Sequence, residues 1–514
     1  MSVESIPQAV GKQAVGTAVE THTQLKKNAL NTWDVISQSL AFLGPVMSMA
    51  FLTGYVAIAA GAATPLAVFL GGLTMVALGY VVSQFASRVH AAGAIYNYAA
   101  KAFGPEIGFM GGWIYLFATL LLTIAIIGGV AGWITQFLAM AGFLAEPVPY
   151  LWIALVVVEC IALFLLTYFD VRISTRTQLW LVFISLALVV LLALYVIIRG
   201  GAAGHSAVPF SLDAAGGLQG LTYGMIFAIL MYTGFESSAV LAEETQDPKR
   251  SMPIAIVGTV AAAVLIYTIV TYAYSIGFGV NDTKDWADPT KPALFSIAGI
   301  YGGDWLVALV FLAAIVDGFA VALGCLTTSA RVAFAIARDG ALPRALGRTH
   351  TTYKTPYIAN GAVLVLAAIV AIVFAAVLPT GATSGSDTEF GFLAGIGAIT
   401  IEVIYTFVSL AAIVWFRREL KNEYSILKHL VIPIVAIIGA GAALYGSLQP
   451  APDPLMQTMP YVALAWIVLG LLYIVFLKST KPGVVAQIGR DLSTLDVAEP
   501  VDMRFNYDPN APTN

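Results

Sequence analysis

Residues 34–58 read DVISQSLAFLGPVMSMAFLTGYVAI, an apolar stretch long enough to cross a bilayer but broken at its centre by Leu43-Gly44-Pro45-Val46-Met47-Ser48. A hydrocarbon layer of about 30 Å needs roughly 20 apolar residues as a helix, because the backbone there must satisfy its own hydrogen bonds. Pro45 lacks an amide hydrogen and its ring clashes with the carbonyl of Ala41, while Gly44 lowers the cost of leaving helical angles. The stretch therefore reads as a membrane helix interrupted at mid-depth. Non-helical backbone at that depth is tolerated only against protein or a wet cavity.

Working outward, similar apolar runs recur at roughly 65–86, 107–138, 150–168, 177–198, 219–241, 254–278, 305–330, 357–379, 390–416, 429–448 and 458–477, which predicts twelve spans in all. The 514 residues are 59% hydrophobic and 11% charged, with mean hydropathy +0.86. Soluble domains carry about 25% charged residues, so an ordinary soluble enzyme is excluded. One more span is interrupted, the sixth, at Tyr232-Thr233-Gly234-Phe235-Glu236-Ser237-Ser238. Gly44 and Gly234 lie 190 positions apart, each in the first helix of a five-span unit. Matched breaks in two halves point to the central site of a transporter. Freed amides at a half-helix N-terminus suit a carboxylate, and freed carbonyls suit an ammonium or Na⁺.

Of the 25 Lys and Arg, 22 fall in segments on one side of the predicted membrane and 3, Arg199, Lys284 and Lys291, on the other. The positive-inside rule then puts both termini in the cytoplasm of a multi-pass cell-membrane protein. The expected organisation is a tail at 1–30, a first unit at 31–200, a second at 201–420, two further helices at 421–480 and a tail at 481–514. The outer loop at about 279–304, with Asp282, Asp285, Trp286, Asp288 and Asp304, reads as a solvated surface loop. Cys160 and Cys325 lie inside apolar runs, so disulfides are not expected. The five histidines are scattered and no metal site is predicted. No basic patch for nucleic acid, no catalytic constellation and no phosphate-binding glycine loop occurs, so neither an enzyme nor ATP drive is expected, and no cofactor.

Three blocks carry a family resemblance. Ser87-Arg88-Val89-His90-Ala91-Ala92-Gly93-Ala94-Ile95-Tyr96-Asn97-Tyr98, followed by Phe103-Gly104-Pro105 and Gly108-Phe109-Met110-Gly111-Gly112-Trp113, resembles the SR-x-P-x-AGG-x-Y-x-Y … FG … G-F-x-x-GW signature of amino acid/polyamine/organocation permeases. Gly234-Phe235-Glu236, Ala242-Glu243-Glu244, Asp247-Pro248-Lys249-Arg250 and Met252-Pro253 are similar to the family's second block. Ser329-Ala330-Arg331, Ala337-Arg338-Asp339-Gly340-Ala341-Leu342-Pro343 and Thr355-Pro356 resemble its third. The resemblance covers about residues 30–480. It implies an all-α integral membrane protein with twelve transmembrane helices, a five-plus-five inverted repeat with two extra helices, and discontinuous helices 1 and 6.

It further implies alternating-access secondary transport of a small amino acid or related amine. A polyamine or organic-cation carrier, an exchanger and a non-transporting sensor are the alternatives. By resemblance, a substrate carboxylate meets the amides of Val46, Met47 and Ser48, an amino group meets carbonyls near Leu43 and Gly44 and those of Leu230, Met231 and Thr233, and Phe235 next to Gly234 forms a gate. Many amino-acid members have Gly-x-Gly where this chain has Val46-Met47-Ser48. Some proton-coupled relatives have a Lys where this chain has Ser185. Coupling to H⁺ or Na⁺, with Ser185, Glu236, Asp317 and Thr328 as candidate groups, and plain exchange therefore all stay open. Thr327 and Ser329 offer further hydroxyls, and Glu159 and Glu402 further buried acids. Glu243, Glu244 and Arg250 are expected as a gate at the cytoplasmic end of the sixth span.

Overall fold

The computed structural model describes residues 23–489 except 146–147, 149, 203, 282, 284, 288–291, 378–383 and 450–452. Lys284, Lys291, Asp282, Asp288 and most of both expected tails lie outside the described residues. The described chain is helical, with an isolated parallel bridge between Leu30 and Thr245. In order come α1 (Thr32–Leu43), α2 (Pro45–Met47), α3 (Thr53–Ala60), α4 (Thr64–Ala86), α5 (Ile95–Phe103), α6 (Pro105–Met140), α7 (Leu151–Tyr168), α8 (Val171–Ile198), α9 (Leu218–Leu230), α10 (Pro248–Phe278), α11 (Ala293–Gly302), α12 (Asp304–Arg338), α13 (Tyr357–Val377), α14 (Ser384–Arg418), α15 (Ile432–Ser447), α16 (Met459–Thr480) and α17 (Pro482–Gln487).

Among the described residues, eleven helical segments are long and apolar enough to cross a membrane. The first, Thr32–Ala86, has 55 residues. At 1.5 Å per residue that is about 80 Å of helix, room for two crossings of a ~30 Å layer, and the chain turns at Gly61, φ +53°, before α4 begins. The runs expected at 34–58 and 65–86 both fall within it.

The first broken helix starts with a capping box. The Asn31 side chain accepts from the amides of Trp33 at 2.8 Å and Asp34 at 3.0 Å, and Asp34 accepts from the Asn31 amide at 3.0 Å. This satisfies backbone donors that a helix start leaves open. α1 ends where Gly44 turns left-handed, φ +57° and ψ +64°, a conformation costly for any residue with a Cβ. Pro45 then opens α2 as its first residue, and a π-helical turn, Ser48–Leu52, carries the chain into α3. In the sixth span, α9 ends at Leu230 and Gly234, φ +104°, precedes a ten-residue 3₁₀ helix, Phe235–Glu244. Runs of 3₁₀ helix beyond three or four residues are uncommon and mark hinges or strained stretches.

Three loop expectations are corrected by packing. Residues 24–31 are not a loose tail: Leu30 is fully buried, and Leu25 packs with Ala92 and Phe334. The Leu30 amide donates to the Glu244 carbonyl at 2.9 Å and its carbonyl accepts from Gln246 at 3.0 Å. Lys26 pairs with Asp170 at 2.5 Å. The segment after 481 forms α17, with Val485 and Ile488 buried and the Gly489 amide donating to Asp339 at 2.8 Å. In the loop read as solvated, Trp286 is fully buried, stacked 5.9 Å from Phe278, and α11 buries Leu294, Ile297 and Ala298. α5 is also absent from the sequence expectation, being an amphipathic helix too short to span.

Candidate functional site

The two breaks, read 190 residues apart, are in direct contact. A Cβ on Gly234 would stand 2.6 Å from Phe42 Cδ2 and 2.9 Å from the Phe42 carbonyl carbon, so the second break lies against the last turn of α1. The Ser48 hydroxyl reaches the Leu43 carbonyl at 3.2 Å and the Met231 carbonyl at 3.0 Å, one from each broken helix. Ser39 donates to the Phe235 carbonyl at 2.6 Å and Ser237 to the Gln38 carbonyl at 3.1 Å. Small hydroxyl side chains thus tie the backbones of the two broken helices together by bonding carbonyls across the contact.

Other backbone groups of the breaks bond within the chain. The Gly44 carbonyl accepts from the Ser48 amide at 2.8 Å, and the Leu230 carbonyl from the Thr233 amide at 3.3 Å. Leu230 and Thr233 are half-buried, whereas residues 234–242 and Val46, Met47 and Ser48 are buried, Phe235 fully, 5.8 Å from the Tyr405 ring. Above the first break, Phe51 stacks on Trp133 of α6 at 4.8 Å and meets Phe295 of α11 edge-on at 6.0 Å.

α12 supports the first break along one face, at Asp317, Val321, Gly324 and Thr328, a spacing that puts side chains above one another on a helix. Val321 lies against Gly44, and Gly324 lets the backbone of Phe42 approach. Asp317 is fully buried; its Oδ2 accepts from the amides of Val46 and Met47, both at 3.0 Å, and its Oδ1 from the Ser185 hydroxyl of α8 at 3.3 Å. Two of the amides expected to face a substrate carboxylate are therefore held by a carboxylate of the chain itself. Thr328 sits apart, bonded to Gln38, which also reaches the Gly324 carbonyl and accepts from Gln178 of α8.

Glu236 is held by other helices, α14 and α6. It is fully buried, accepting from Tyr405 of α14 at 2.7 Å and lying 3.5 Å from the Tyr115 hydroxyl of α6. Tyr405 in turn accepts from the Gly234 amide at 3.2 Å, so one phenol holds both the acid and the backbone of the second break. The four candidate coupling residues thus occupy three places rather than one. Glu402 accepts from Ser447 of α15, and Glu159 has no hydrogen-bond partner among the described residues; neither joins these clusters.

Glu243 and Glu244 pair with arginines of α12. α12 continues through Arg338, which brings Arg331 and Arg338 beside the 3₁₀ helix. Arg331 meets Glu244 at 2.7 Å and Arg338 grips Glu243 with two nitrogens at 2.7 and 3.0 Å. Glu243 also accepts from the Ala92 amide at 2.9 Å. Arg250 is exposed in the first turn of α10, where the Asp247 side chain accepts from its amide. Tyr405, Tyr115, Gln38 and Gln178 are missed by the sequence reading; their signal was a polar group inside an apolar run.

The described residues hold no group of three or more His, Cys, Asp or Glu arranged to bind a metal ion. A family model described as amino acid permease matches residues 30–476. The chain belongs to the amino acid permease family. This permease is 26% identical over 479 residues to the methylthioribose transporter of Bacillus subtilis, covering 88% of this chain and 95% of that one. It is 26% identical to the branched-chain amino acid permease of Lactococcus lactis subsp. cremoris, covering 79% and 87%. With the low-affinity putrescine importer of Escherichia coli it shares 27% identity, covering 80% and 84%. Its fold is similar to that of a manganese transporter from Eremococcus coleocola, with a TM-score of 0.55 at 13% identity, covering 92% of this chain and 99% of that one. The protein is a multi-pass membrane permease and not an enzyme.

Proposed function

We propose that the permease is a secondary transporter of an amino acid or related amine, working by alternating access around the breaks at Gly44 and Gly234. The contact of those breaks carries this reading. Ser48 bonds carbonyls of both, so a solute held there would touch both moving helices, as transport at a repeat interface requires. The half-buried Thr233 and Leu230 are the groups of the second break best exposed to such a solute. Drive comes from an H⁺ or Na⁺ gradient or from exchange, with Asp317, Ser185, Glu236 and Thr328 as the coupling groups. The uneven spread of Lys and Arg supports cytoplasmic termini and an even number of crossings; two five-helix repeats plus two helices are what the family resemblance implies.

A polyamine or other organic cation is the second reading. Two fully buried acids, Asp317 and Glu236, flank the breaks, and the hydrogen bonds that hold them come from amides and hydroxyls. By their names, one relative carries branched-chain amino acids, as the first reading has it, and one a diamine, as the second has it, while a third carries a thiosugar that fits neither. A thermal-shift screen of the purified permease against amino acids and amines, with and without Na⁺, identifies ligand and ion together, since ligands of the folded state raise its apparent stability. Ser48→Leu is expected to abolish uptake of the hit in proteoliposomes while inserting normally. Wild-type uptake by that variant would sink the site.

A further inference from the structure

We infer that Asp317 is a specificity-determining residue, a built-in carboxylate that fills the place of a substrate carboxylate and restricts this permease to amines without one. The inference rests on the reading of the two breaks as the substrate site. Freed amides at the first break are the groups that would bind a carboxylate, since they donate hydrogen bonds at the start of a helix segment. Those of Val46 and Met47 already donate to Asp317 Oδ2, both at 3.0 Å, and Ser185 holds Oδ1 at 3.3 Å. The carboxylate enters from α12, a different helix from the one it caps, and is fully buried. Val321, one turn along, fills the space beside Gly44. A second carboxylate could join only by displacing Asp317 or by sharing its amides, and two like charges within hydrogen-bond distance of the same donors repel strongly.

The charges around the breaks point the same way. The hydrogen bonds on Asp317 come from neutral donors, and Glu236 is held by the hydroxyls of Tyr405 and Tyr115. Arg331, on the same helix as Asp317, is 14 residues along it and paired with Glu244. A buried acid in a membrane protein calls for a partner, and an incoming ammonium supplies the missing cation. The substrate class is therefore a primary amine or diamine, whose charge complements Asp317 and whose carbon chain has no acid to compete with it.

The test uses pairs that differ only in the carboxylate: agmatine and arginine, putrescine and ornithine, cadaverine and lysine, 3-methylbutylamine and leucine. Thermal shift and proteoliposome counterflow are read for wild type, Asp317→Asn and Asp317→Ala. In wild type the amine of at least one pair is expected to bind at least tenfold tighter than its amino acid. Asp317→Asn keeps an acceptor on the amides but loses the charge, so the amine weakens at least tenfold and the amino acid gains nothing. Asp317→Ala frees the amides, so the preference for the amine falls at least tenfold because the amino acid gains. Wild type that takes the amino acid of every pair as well as or better than its amine, or an amine preference that Asp317→Ala leaves unchanged, overturns the role of Asp317 and leaves the transport reading standing. No binding or counterflow of any compound by wild type overturns both. The wild-type comparison stands alone if a variant does not fold.

Discussion

Gly234→Ala tests the meeting of the breaks most directly. Gly234 has φ +104°, outside the range comfortable for an L side chain, which costs about 1–2 kcal/mol for alanine. The added methyl would also sit 2.6 Å from Phe42 Cδ2 and 2.9 Å from the Phe42 carbonyl carbon. The ring can swing aside but the backbone carbon cannot without moving α1, and overpacking of this kind costs about 1–3 kcal/mol. Together the penalty on the arrangement with the breaks in contact is ~2–5 kcal/mol, and at about 1.4 kcal/mol per tenfold that lowers its population roughly thirty-fold to a few thousand-fold. Initial uptake rates in proteoliposomes, matched for protein amount and for gel-filtration profile, should fall in that range. Gly258→Ala is the internal control. A Cβ there meets nothing within 4 Å, on an exposed face of α10, so it should gain up to about 1 kcal/mol of helix propensity and leave uptake intact. Gly234→Ala with uptake within twofold of wild type would refute the packing argument.

Three further outcomes follow from the same geometry. Arg331→Ala leaves Glu244 buried without its cation and should cost about 3–5 kcal/mol, read as a drop in melting temperature, whereas Arg331→Met with Glu244→Met should recover most of it; equal losses in single and double variants would refute the pairing. Tyr405→Phe strands the Gly234 amide and one Glu236 oxygen and should cost about 1–3 kcal/mol, with uptake falling more than melting temperature does; unchanged uptake would remove Tyr405 from the hinge. Burial alone would raise the Asp170 carboxyl, but the Lys26 ammonium and the Arg172 amide outweigh it and hold it below its ordinary value of 3.8. A carboxyl depressed by folding stabilises above its unfolded value and loses that contribution as pH falls through the folded one. The melting-temperature gap between wild type and Asp170→Asn should therefore be full at pH 7 and shrink as pH falls below about 4. A gap that stays constant or grows as the pH is lowered below about 4 would refute it.

The membrane spans were legible because the bilayer imposes one solution: a helix of known length with an apolar surface. The expected run at 150–168 and α7 at Leu151–Tyr168 differ by a single residue. The breaks were legible because Gly44-Pro45 and Gly234 violate helix rules in the middle of apolar runs. Partners across the bundle were not. Nothing in the order of residues says that Asp317, 271 positions from Val46, turns toward its amide rather than toward a solute. Arg250 is near Glu243 and Glu244 in sequence, whereas the last turns of α12 bring Arg331 and Arg338 to them in space. Packed loops failed for a related reason, since α11 and residues 24–31 are too short to show a bilayer-scale pattern and are ordered by what they lie on.

The bridge between Leu30 and Thr245 has a mechanical consequence. It joins the outermost end of α1 to the end of the 3₁₀ helix, so the segments beyond Gly44 and Gly234 are tied together at their tips. α1 has 12 residues, a lever of about 18 Å at 1.5 Å per residue. A tilt of only about 10° at Gly44 sweeps its tip through ~3 Å, as far as a hydrogen bond is long. The Glu244 to Arg331 contact at 2.7 Å lies beside that tip. If the breaks act as proposed, a small rotation at either glycine would strain the same contact, and the two segments would move together.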